Sequence, residues 1–166
     1  MDVQDAIKAR RSIRKYERKQ IPDDVLSSLL EAARLAPSSN NKQRWSMVVV
    51  TDDATKQKLV AASGNQKFVG ECSAYIVAVC DPGASYSAID IAISLDHLSL
   101  RAVELGLGTC WIGFFEADKI RDVLGIPADR DIPVCMTLGY PSAVPSARNR
   151  KKPAELFHRE RWGGSA

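Results

Sequence analysis

In the run Arg10-Arg11-Ser12-Ile13-Arg14, two arginines stand four positions apart with a serine midway between them. In a turn or at a fraying helix end, Arg10 and Arg14 lie on one side with Ser12 between, offering two guanidinium forks and a hydroxyl to one phosphate. A second polar stretch reads Ala36-Pro37-Ser38-Ser39-Asn40-Asn41-Lys42-Gln43-Arg44-Trp45. Pro37 stops the preceding helix, and the serines and asparagines that follow bond local backbone and favour loops. Trp45 and the apolar residues 47–50 then fasten this loop to a buried strand. A polar loop so held presents amides and hydroxyls to the edge of a planar polar ligand, and the same residues also suit an ordinary helix-to-strand connection. A third stretch, Gly106-Leu107-Gly108-Thr109-Cys110-Trp111-Ile112-Gly113-Phe114-Phe115, is a strand flanked by glycines. Gly113 there marks either close approach of a ligand ring to the main chain or a bulge.

Charge narrows the ligand class. The net charge of +3 is concentrated in two clusters, Arg10, Arg11, Arg14, Lys15, Arg18 and Lys19 near the start and Arg148, Arg150, Lys151 and Lys152 near the end. Such clusters suit a phosphate-bearing small ligand or a nucleic-acid backbone. Tyr16 is the one aromatic interleaved with the first cluster and no nucleic-acid reader motif is present, so cofactor phosphate ranks above nucleic acid. Cys72, Cys80, Cys110 and Cys135 form no CxxC pair, and His97 and His158 have no ligand-spaced neighbour. These thiols read as core residues of a reducing compartment, and no metal site is expected. A chain of 166 residues with a hydrophobic fraction of 45% supports one domain with a single core. No apolar run approaches membrane-spanning length and the first residues lack a signal-peptide core, so the expected location is cytoplasmic, with no membrane partner.

The positioning elements follow from periodicity. Asp2 caps a first helix that runs into the arginines, and a second helix over residues 24–35 delivers the serine-asparagine loop. Strands are expected at residues 47–51, 74–80, about 107–113 and 132–139. Asp52 and Asp53 open a third helix that ends near Gly64, before the polar turn Asn65-Gln66-Lys67. Residues 87–105 form the longest helix, apolar nearly all round, which requires burial on most sides, in a large single core or against a second copy. A short helix spans residues 116–124. Alternation of helices and strands by itself suggests a parallel α/β sheet. Residues 141–166, rich in proline and basic residues, hold too few apolar side chains for a core, but Phe157 and Trp162 suit docking on their own domain or on a partner.

Taken together in this order, the three motifs resemble the flavin-dependent nitroreductase family across almost the whole chain. The resemblance implies an α+β fold, a three-layer α-β-α sandwich around a mixed, largely antiparallel sheet, in place of the parallel sheet. It implies a single domain over residues 1–140 and a C-terminal extension over 141–166 that embraces the other subunit of a homodimer. FMN would lie at the subunit interface, with NADH or NADPH as co-substrate. Arg10, Arg11, Ser12 and Arg14 of one subunit would hold the phosphate, ribityl chain and pyrimidine edge, and Pro37, Ser38, Ser39 and Asn41 would come from the other, with Gln43 nearby. Ile112 and Gly113 would offer backbone groups beside the isoalloxazine, Asn65 and Gln66 would reach its polar edge, and Arg148 with Arg150, or alternatively Lys152, would return to the phosphate. No catalytic side chain is required, because the hydride passes through flavin N5 to a nitroaromatic, quinone or similar acceptor by a ping-pong scheme. Other redox tasks of the same fold, flavin storage, and a basic nucleic-acid-binding module are the alternatives. Two departures bear on substrate choice: Arg44 stands where many relatives have proline, and the chain offers little sequence for a lid.

Overall fold

The computed structural model describes residues 1–83 and 85–164. Its centre is a four-stranded sheet in the order β1-β2-β4-β3, formed by β1 (Trp45–Val50), β2 (Ala74–Cys80), β3 (Gly108–Ile112) and β4 (Cys135–Gly139). The central strand β2 is buried along its whole length, as its continuous apolar run requires. Tyr75, Val77 and Val79 point into one core, and Ala74, Ile76, Ala78 and Cys80 into the other. Burial of each Val or Ile contributes about 1.5–3 kcal/mol, so a sheet with two covered faces supplies most of the cohesion of the domain.

Helices fill both outer layers. On the face of Tyr75 lie α3 (Asp53–Ala62), the single turn α4 (Phe68–Glu71) and α6 (Ala117–Leu124). The opposite face carries α2 (Asp23–Arg34) and α5 (Ser87–Glu104), while α1 (Val3–Ala9) packs on α5. Asp2 and Asp52 cap α1 and α3, their carboxylates accepting the amides of Asp5 and Thr55 at 2.8 Å each. The three layers therefore agree with the expected sandwich, and every pairing between the named strands is antiparallel. Among the described residues, the parallel component is a bridge between Ser12 and Thr109. Helix α5 does link two strands that run the same way, β2 and β3, as helix-strand alternation suggests, but β4 inserts between them and pairs antiparallel with both.

Two strand starts and the burial of one helix differ from the pattern-based expectation. The last strand begins at Cys135, not residue 132, because Pro133 has no amide for the ladder, and it is preceded by a hydrogen bond from the Ala78 amide to the Val134 carbonyl and a bridge between Asp131 and Cys80. β1 begins two residues earlier, at Trp45. On α5 the buried face consists of Ile91, Leu95, Leu98 and Ala102 with small polar residues, whereas Ile89 is 56% exposed, so one chain does not bury this helix all round. The segment after Pro141 runs over the surface, with Val144, Leu156, Phe157 and Trp162 exposed.

Candidate functional site

The arginine segment is extended, not a helix end. The Arg10 backbone leaves α1 at ψ 129°, the Ile13 amide donates to the Thr109 carbonyl at 2.9 Å, and the Glu17 amide to Tyr140 at 2.9 Å. Alternation then sends Ile13 into the core and leaves Arg10, Ser12 and Arg14 lining a cleft. Gly108 permits this approach, because a Cβ there would overlap the Ile13 side chain. Tyr16 anchors the far end, its hydroxyl shared between the Ile13 carbonyl at 2.9 Å and Thr137 Oγ1 at 2.8 Å.

The cleft measures about 400 Å³ and gathers residues from both ends of the chain: Lys8, Arg10, Arg11, Ser12 and Arg14 from one, Pro145, Ser146, Arg148 and Arg150 from the other. No acidic side chain lines it, and among the described residues none of its arginines forms an ion pair. Arg11 is partly committed, its guanidinium donating to the carbonyls of Lys8 at 2.6 Å and Arg10 at 2.8 Å, where it caps α1. Arg148 and Arg150 line the cleft and Lys152 does not. Burial pushes the Cys110 thiol up, and the positive charge of Arg14 and Arg10 opposes that shift.

The serine-asparagine turn is separate from this cleft. Asn40, Asn41 and Gln43 all adopt left-handed backbone, at φ 50°, 54° and 49°, a conformation that costs on the order of 1 kcal/mol or more per non-glycine residue. The turn stitches itself together: the Gln43 amide donates to Ser38 Oγ at 3.2 Å, and the Gln43 side-chain nitrogen donates to the Asn41 carbonyl and to Asn41 Oδ1, both at 3.1 Å. Pro37 is exposed, and Ser38 and Ser39 are half-buried. Gln43 and Arg44 also border a larger cavity of about 640 Å³ beneath Trp45, lined by the ends of β1, β2 and α6. Neither Pro37 nor Ser38, Ser39, Asn41 or Gln43 lines the arginine cleft of their own chain.

Ile112 ends β3 and is buried, whereas Gly113 is exposed just beyond it. The backbone of Gly113 lies outside the positive-φ region, and a Cβ built on it would meet no atom within 4 Å. Neither conformation nor packing within the chain calls for glycine there, so the open space admits a close ligand and no bulge is needed. Beside it, Phe114 is 78% exposed and its ring rests on Gly64, ahead of Asn65 in left-handed backbone and Gln66. The Gln66 side-chain nitrogen donates to the Ser63 carbonyl at 2.8 Å.

Two residues outside the sequence-derived set stand out. Asp90 is 6% exposed and its Oδ1 accepts the Ser39 amide at 3.1 Å. Asp96 and Glu104 lie on the same helix, so the local pattern does not set Asp90 apart; its burial does. Thr109, beside the Ser12 bridge, carries the one buried side-chain oxygen without a partner among the described residues, and no residue pattern announces that. All four cysteines are buried and free, burial pushing Cys72 and Cys135 up to about 12. Among the described residues no group of three or more His, Cys, Asp or Glu is placed to hold a metal ion, and no helix is long and apolar enough to cross a membrane.

The nitroreductase family model matches residues 7–71 and 60–140. A protein of Archaeoglobus fulgidus, whose name joins NADH dehydrogenase with NAD(P)H nitroreductase, is 33% identical over 94% of this chain and 96% of its own. Among solved structures, an FMN-dependent nitroreductase of Clostridium difficile superposes with a TM-score of 0.86 at 28% identity, over 94% of this chain and 98% of its own. The NADPH:FMN oxidoreductase of Vibrio harveyi, complexed with NAD+, superposes with a TM-score of 0.88 at 26% identity, over 96% of this chain and 77% of its own.

Proposed function

The chain belongs to the nitroreductase family, and from that premise we propose that it is an FMN-dependent oxidoreductase drawing on NADH or NADPH. The observation that carries this reading is the arginine cleft, with six cationic side chains and no acid in its lining. An uncompensated cleft of this kind fits a phosphate, and the open space over Gly113 fits a planar ring laid against the strand end. The residues present therefore suit the cofactor.

FMN held here would supply two-electron chemistry between a nicotinamide and an acceptor such as a nitroaromatic or quinone. The chain supplies binding and electrostatics. Arg10, Arg148 and Arg150 would hold the phosphate, Ser12 would hydrogen-bond beside them, and Arg14 would supply a permanent cation that favours the reduced ring. The backbone of Ile112 and Gly113 orients the ring, with Asn65 and Gln66 at its polar edge. Nicotinamide and acceptor use the same open side in turn, a ping-pong scheme.

The site is completed by a second copy. The turn carrying Pro37, Ser38, Ser39, Asn41 and Gln43 does not line its own chain's cleft, which supports its serving the cleft of a partner. The exposed Leu156, Phe157 and Trp162, together with the exposed Ile89 on α5, support a dimer embraced by residues 141–166. Buried free thiols support a reducing, cytoplasmic setting.

A spectrum of the purified protein tests the reading. Yellow protein that bleaches with NADPH or NADH and recovers with a nitroaromatic or quinone supports it. Yellow protein that does not bleach points to flavin storage. Colourless protein that retards DNA with a steep salt dependence overturns it.

A further inference from the structure

Backbone as disfavoured as that of Asn40, Asn41 and Gln43 persists only where surrounding structure over-determines it. Bonds within the turn, such as the Asn41 amide to the Ser38 carbonyl at 2.9 Å and the Gln43 amide to Ser38 Oγ at 3.2 Å, fix its internal shape. They do not fix where the turn sits on the body of the protein. Among the described residues, the bond that reaches outward runs from the Ser39 amide to Asp90 Oδ1, at 3.1 Å.

Asp90 lies in the first turn of α5, a helix pinned to the sheet through Ile91, Leu95 and Leu98. Placing a carboxylate at 6% exposure is costly unless specific donors receive it. The amide of Ser39 is one, the positive end of α5 is a second favourable influence, and Lys42 and Arg44 border the same small cavity of about 250 Å³. A residue needed only to favour the start of α5 would sit equally well in solvent. Burial beneath Ser39 points to a different task.

We infer that Asp90 is a positioning residue for the cofactor site: its carboxylate ties the serine-asparagine turn to α5, so that Ser38, Ser39 and Asn41 meet the flavin in one fixed arrangement. This rests on the flavin-binding reading of that turn. Asp90 touches no reacting atom and acts through Ser39.

The test compares Asp90→Ala with Asp90→Asn, which keeps an acceptor oxygen in nearly the same place. Three quantities are measured: the FMN dissociation constant of the full-length protein, amide hydrogen exchange of residues 38–43 without flavin, and the melting temperature of the flavin-free form. Asp90→Ala is expected to weaken FMN binding about tenfold and to speed exchange in the turn at least tenfold, losses in line with one charge-assisted hydrogen bond. Asp90→Asn is expected to stay within about threefold of wild type on both counts. Equal losses in the two variants that track their melting temperatures would mean a structural role only and overturn the inference, as would wild-type affinity in Asp90→Ala. Arg10→Ala serves as the reference: if it weakens FMN binding and Asp90→Ala does not, the positioning role alone falls. If wild-type protein binds no FMN, the flavin reading falls and takes this inference with it.

Discussion

Replacing Gly113 with alanine separates a glycine kept for the chain from one kept for a ligand. The added Cβ would meet nothing within 4 Å and the backbone there is not left-handed, so the folded state tolerates it without strain. Alanine also narrows the unfolded ensemble, which stabilises by about 0.4–1 kcal/mol. For a chain of this size the melting temperature of the flavin-free protein should rise by about 1–4 °C. With the ring of FMN against the strand end, the same methyl occupies contact space, and overpacking of that kind costs about 1–3 kcal/mol. The FMN dissociation constant should then rise by about 5- to 150-fold. Gly108→Ala is the contrasting variant: its Cβ overlaps Ile13 and lies 3.1 Å from Pro141 Cγ, so stability falls along with affinity as the arginine segment shifts. Scanning calorimetry of the flavin-free forms and fluorescence titration with FMN measure both effects. A drop in stability for Gly113→Ala, or unchanged FMN affinity, refutes the reasoning.

Arg14→Ala should weaken FMN binding by about 10- to 150-fold, the range for a hydrogen bond to a charged group, and lower the flavin reduction potential; unchanged affinity and potential would remove Arg14 from the site. Lys56, 3% exposed, donates to the Cys72 carbonyl at 2.5 Å and to that of Ser73 at 3.3 Å, so Lys56→Ala should cost about 3 kcal/mol in urea unfolding, and a loss below about 1 kcal/mol would contradict that role. Cys72 and Cys135 bind their protons more tightly when folded, with values near 12 against an ordinary 9.0. Their contribution is complete below about pH 9 and is lost as pH rises toward 12, by up to about 1.4 kcal/mol per group per pH unit. Denaturant midpoints should fall across that window, and less steeply in Cys72→Ser or Cys135→Ser, where a flat profile in wild type would disprove the assignment.

Local chemistry was legible and long-range partnership was not. Asp2 and Asp52 announce helix starts because a cap is satisfied within three residues, and β2 announces its central place because both its faces are apolar. Arg10 and Arg14 read as a turn or a helix end, and the extended conformation was imposed by Thr109 and Tyr140, residues about a hundred positions away whose carbonyls accept from Ile13 and Glu17. The insertion of β4 between β2 and β3 is likewise a property of the assembled sheet, and Pro133 shortens β4 by removing one donor. At the candidate site, the arginine and glycine motifs were visible as residue types with a shared chemistry. Asp90 was hidden because its importance lies in its burial beneath Ser39, which no local spacing encodes.

The arginine cleft draws its walls from segments far apart in sequence, Arg10 and Arg14 from one and Arg148 and Arg150 from the other. Synthesis proceeds from the amino end at about 5–20 residues per second, so the first arginines emerge from the ribosome many seconds before their counterparts. A nascent polypeptide therefore cannot close this cleft until residues 145–150 have followed and folded back onto the arginine segment.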